Sequence, residues 1–79
     1  MKAFGYAESK IDKSRLLDLN EITLEGTSTE IRLIANFLLA MADDMENRPK
    51  EFDHRHMQDE ITKWDPNWPD FIVAAPEER

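Results

Sequence analysis

Apolar and polar positions alternate over two stretches near the start of the chain. Phe4 and Tyr6 stand at strand spacing in "KAFGYA", and "NEITLEG" alternates cleanly until Gly26 ends it. Leu17 and Leu19 fall on the opposite parity from Ile22 and Leu24. A one-residue change of phase moves side chains to the other face, so the second strand proper begins near Asn20. Between the two stretches, residues 7–15 ("AESKIDKSR") are polar and mixed in charge, which predicts a connector.

The period then changes from two to 3.6. Thr27 and Glu30 form a capping-box pattern ahead of "IRLIANFLLAMADDMEN". Ile31, Ile34, Ala35, Leu38, Met41, Ala42 and Met45 predict one apolar stripe, on a helix over about 28–46 that stops before Pro49, with Asn47 as its C-terminal cap. Leu33, Phe37 and Ala40 make a second apolar flank. Either a curled sheet covers that flank or a second copy of the chain does.

Two further strands are predicted, in "EFDHRHMQDEI" and in the continuous apolar run "DFIVAAP". The second has the pattern of a strand covered on both faces. Between them "KWDPNWP" is rich in turn residues. The expected fold is therefore α+β: one domain over 1–79, order β-β-α-β-β, with the long amphipathic helix on a mostly antiparallel four-stranded sheet. Residues 76–79 are a polar tail.

Composition narrows the functional classes. With 79 residues and no cysteine, disulfides and thiolate zinc sites are ruled out. The net charge of −7 repels phosphate backbones, so nucleic acid is not an expected partner, and a basic protein is. No apolar run reaches the roughly 20 residues of a membrane helix, and the N-terminus lacks a signal-peptide pattern. A cytoplasmic location is expected.

Candidate chemistry is sparse. His54 and His56, the only histidines, share one strand face with Phe52 and Gln58, opposite Asp53, Arg55 and Met57. Two imidazoles on one face can chelate a metal, but a catalytic zinc site needs three protein ligands and a structural site four. A small metal-dependent enzyme built on His54 and His56 is thus the least favoured reading, and no cofactor is expected. Ser9, Ser14 and Ser28 lack a nucleophile-elbow context, and two glycines cannot build a phosphate loop. Asp43, Asp44 and Glu46 crowd the helix C-terminus, where the dipole disfavours negative charge, which suggests a surface for a basic partner. Trp64 is the better interface anchor of the two tryptophans and Trp68 the more buried. The partner-binding candidates are therefore His54, His56, Gln58, Trp64, Asp43, Asp44 and Glu46, with Leu33, Phe37 and Ala40 as a homodimer contact.

Read together, "FGY", "LNEITLEG", "ANFLLAMADDME", "FDHRHMQD" and "WPDFIVAAP" resemble the immunity protein 32 family, small bacterial immunity proteins of polymorphic toxin systems. The resemblance runs from about Phe4 to Val73. It is carried by Gly5, the Ala35-Asn36-Phe37-Leu38-Leu39 run, the His-x-His strand and Pro69-Asp70. It implies an α+β fold and a non-enzymatic protein that binds and neutralises a cognate toxin, and steric and electrostatic blockade is the mode of action expected here. It assigns no binding residue. A homodimeric structural or regulatory module is the alternative.

Overall fold

The computed structural model describes residues 1–7 and 16–76. The expected connector over residues 8–15, with Ser9 and Ser14, and the tail beyond Pro76 lie outside the described residues.

Five of the expected elements are present: β1 (Lys2–Tyr6), β2 (Glu21–Glu25), α1 (Ser28–Asn47), β3 (His54–His56) and β4 (Ile72–Ala74). A further single helical turn, α2 (Met57–Glu60), follows β3 directly. The expected four-stranded sheet does not form. β1 pairs antiparallel with β2, from Lys2 opposite Glu25 to Tyr6 opposite Glu21. β3 pairs antiparallel with β4, from His54 opposite Ala74 to His56 opposite Ile72. These are two separate two-stranded sheets. Alternation identifies which residues can be strands, but pairing depends on where each strand stops. Here α2 takes over at Met57, so β3 has three residues with which to recruit a neighbour.

The helix begins as its sequence requires. Thr27 Oγ1 accepts the Glu30 N–H at 3.1 Å, and Glu30 Oε1 accepts the Thr27 N–H at 2.8 Å. Each bond satisfies a donor that the first helical turn leaves without a partner. Glu30 Oε2 also receives the Met1 ammonium at 3.1 Å, which draws β1 to the helix start. The C-terminal cap is Arg48 rather than Asn47, its N–H donating to the Asp44 carbonyl at 2.8 Å. Thr27→Ala should lower stability by about 1 kcal/mol, or about 4–8 °C in Tm, with Thr27→Ser near wild type; thermal melts followed by circular dichroism check this.

The core is small. Ile34, Phe37 and Met41 from α1 meet Phe52 and Met57, with Leu33, Met45, Ile61, Trp64, Phe71 and Val73 packed around them. The buried face of α1 therefore differs from the expected stripe. It keeps Ile34 and Met41 but takes Phe37 from the flank, a rotation of about 60–70° at about 100° per residue. Phe37 is 4% exposed, so Leu33-Phe37-Ala40 is not an available dimer surface. Ile31, Ala35, Leu38 and Ala42 are left exposed instead.

β1 and β2 lie outside this core, and all ten of their residues are exposed. β4 is likewise an edge strand rather than one covered on both faces: Ile72 is 54% exposed while Val73 packs inward. The molecule is flat, with extents of 36 × 34 × 18 Å.

Candidate functional site

The histidine strand is held from three directions. At one end the Ala75 N–H donates to the Asp53 carbonyl, and at the other the Met57 N–H donates to the Phe71 carbonyl, each at 2.8 Å. Arg55 points towards α1. Its Nη1 donates to Asp44 Oδ2 at 2.8 Å, and its guanidinium lies 5.8 Å from the Phe52 ring centroid. Its Nε is 3.0 Å from Glu60 Oε1, an ion pair without hydrogen-bond alignment.

Because side chains alternate along a strand, Arg55 facing the helix puts His54 and His56 on the opposite side, with His54 about half exposed and His56 about one-third. Their rings meet edge to face, with centroids 5.3 Å apart. Each has a carboxylate at Nδ1: Asp53 Oδ2 at 2.9 Å from His54, and Asp70 Oδ2 at 2.5 Å from His56. Asp70 Oδ1 also accepts the Gln58 N–H at 3.1 Å, so this one carboxylate ties the tryptophan connector to β3 and α2. The expected face of four is thereby reduced to two. Phe52 precedes the strand and is buried, and Gln58 belongs to α2.

Beside the histidines lies a cleft of about 280 Å³, lined by Asp44, Arg48, Glu51, Phe52, Asp53, His54 and Arg55. Asp44 is spent internally, Oδ1 on Arg48 Nε and Oδ2 on Arg55, each at 2.8 Å. Glu51 and Asp53 are held more loosely, Glu51 Oε2 3.6 Å from Arg48 Nη1 and Asp53 Oδ2 on His54, and their side chains stay 72% and 92% exposed. Asp43 and Glu46 are exposed on the adjoining helix end. The exposed carboxylates at this end are Asp43, Glu46, Glu51 and Asp53, while Asp44 is half-buried between Arg48 and Arg55.

Both tryptophans are half-buried. Their rings stack edge to face at 5.3 Å, but Trp64 packs against the core cluster. Trp68 lines a second cleft of about 500 Å³ between β1, the start of α1 and the connector, with Lys2, Glu25, Glu30 and Asp65.

Two carboxyls are held below their ordinary values. The Thr27 backbone N–H is the main cause at Glu30, joined by the Met1 ammonium. The Arg48 hydrogen bond is the main cause at Asp44, with the charges of Arg48 and Arg55 adding to it. A carboxyl whose folded pKa lies below its unfolded one contributes stability that is complete above the unfolded value and is lost as pH falls through the folded one. Tm should therefore hold steady down to about pH 4.5 and fall steadily below it, through the ordinary values of 4.5 for Glu30 and 3.8 for Asp44. Thermal melts across the acid range check this, and Asp44→Asn should flatten the lower part of the fall.

Chemically, the site offers two imidazole–carboxylate pairs and a cleft of mixed charge, with three carboxylates against two guanidiniums. Neither histidine is hydrogen-bonded to a Ser or Thr hydroxyl among the described residues. No group of three or more His, Asp or Glu side chains is placed to hold a metal among the described residues. Sequence reasoning did not single out Arg48 and Arg55, whose only signal was their place among acidic neighbours. No family model matches the chain, and no curated protein or solved structure matches it. Among the described residues no helix is long and apolar enough to cross a membrane.

Proposed function

We propose that this chain is a non-enzymatic protein-binding module that docks on a basic partner and blocks it, most simply as an immunity-type inhibitor of a toxin. The observation that carries this is the cleft at the end of α1, where Glu51 and Asp53, although paired with Arg48 and His54, keep side chains 72% and 92% exposed beside the His54–His56 face. A Lys or Arg side chain of the partner fits such a cleft, with Asp43 and Glu46 steering the encounter. Arg48 and Arg55 both hold Asp44, which ties the end of α1 to β3 on either side of the turn that carries Glu51 and Asp53.

The test is co-expression with the product of the adjacent reading frame. The expected result is that this product arrests growth alone, that the chain restores growth, and that the purified pair forms a complex. Glu51→Lys/Asp53→Lys should remove protection while leaving the fold intact, since both side chains are exposed. A harmless neighbour, or full protection by the double variant, would reject this mode of action.

A further inference from the structure

We infer that the exposed apolar seam of α1 (Ile31, Ala35, Leu38 and Ala42) is covered by a second copy of the same helix, running antiparallel. These residues follow one another at steps of four, three and four, the spacing of a coiled-coil contact line. They fall within about 60° of one another around the axis, and about 100° away from the buried Ile34–Phe37–Met41 line. All four are exposed, Ile31 at 38% and Leu38 at 45%, and Leu39 beside them at 65%. With a two-fold axis near Leu39, Ala35 of each copy comes level with Ala42 of the other, which lets the two helix backbones approach closely, and Leu38 meets Leu38.

Charge selects a second copy and its direction. Arg32 is the only basic residue of α1, and Asp43 and Glu46 stand exposed near the opposite end. At about 100° per residue, Arg32, Leu39 and Glu46 lie on the same flank of the seam. An antiparallel partner with the two-fold axis near Leu39 brings Arg32 of each copy beside Glu46 of the other and Leu39 against Leu39. A parallel partner would set Arg32 against Arg32 and Glu46 against Glu46. Antiparallel packing also opposes the two helix dipoles. The contact is self-complementary, as a two-fold interface must be. It does not depend on the proposed inhibitor role: the Glu51–Asp53 rim is not part of it, and Glu46 is the one residue the two surfaces share.

Sedimentation equilibrium of the whole chain from micromolar to millimolar concentration tests this. The expected result is a mass rising from 9.3 kDa to twice that value. Leu38→Glu should raise the dimer dissociation constant by about tenfold or more, the scale of losing an interface anchor, with an unchanged circular dichroism spectrum. Arg32→Glu should weaken association, and Arg32→Glu/Glu46→Arg should restore it. Arg32 and Glu46 are solvent-exposed, so these variants remain informative even if Leu38→Glu misfolds. A chain that stays at 9.3 kDa to millimolar concentration overturns the proposal, as does a dimer that survives Leu38→Glu. Failure of the charge swap to restore association overturns the antiparallel arrangement.

Discussion

Replacing Phe37 by alanine should cost about 3–5 kcal/mol. A domain of this length has only about 4–12 kcal/mol in total. The ring is 4% exposed at the centre of a cluster with four other buried members. So small a core has few neighbours that can close the void, and the cost of a large-to-small change grows with the cavity left behind. Tm should fall by more than about 10 °C. The variant should be substantially unfolded near physiological temperature, which chemical denaturation with fluorescence detection would show. Ala40→Ser, one turn away on the exposed surface, should change stability by less than about 0.5 kcal/mol. A Phe37→Ala variant as stable as wild type would mean that α1 does not pack by the face described.

Met57→Ala should be the next most damaging change, at about 2–5 kcal/mol. Met57 is 0% exposed. It sits where β3 becomes α2, and its N–H closes onto the Phe71 carbonyl at 2.8 Å. Removing the side chain empties the space beneath α2 and loosens the element that stops β3 after three residues. Met57→Leu conserves volume and should cost less than about 1.5 kcal/mol. Hydrogen exchange should show the difference locally: in Met57→Ala the amides of His56, Met57 and Gln58 should lose protection before those at the centre of α1. Uniform loss across the chain would show that the β3–α2 corner is no weaker than the rest.

The helix and its start were legible because their causes are local. Thr27 and Glu30 are three residues apart, and a capping box needs nothing else. The hairpin strands were legible for the same reason, with β2 beginning one residue from the expected Asn20. The face of α1 was not. Ile34, Phe37 and Met41 make as good a stripe as Ile31, Ala35 and Leu38, and a helix apolar on two adjacent lines carries no internal mark of which one faces the core. Phe52 and Met57 decide it by arriving from a distant part of the chain.

Candidate-site residues divide in the same way. That His54 and His56 share a side follows from the two-residue period of a strand, and their ring contact at 5.3 Å agrees. That the side is the outer one follows from Arg55 reaching Asp44 eleven residues earlier. That Asp44 is a buttress follows from two arginines closing on it at 2.8 Å, whereas Glu51 has a single looser contact with Arg48 at 3.6 Å. Sequence by itself determined the α+β class, the helix with its cap, the strand segments and the acidic charge, all set by spacing, local hydrogen bonding or composition. Only the tertiary structure decided the two separate sheets, the buried face of α1 and the outward histidines. Each of those depends on contacts between residues far apart in the chain, and periodicity along one segment holds no information about which distant segment will meet it.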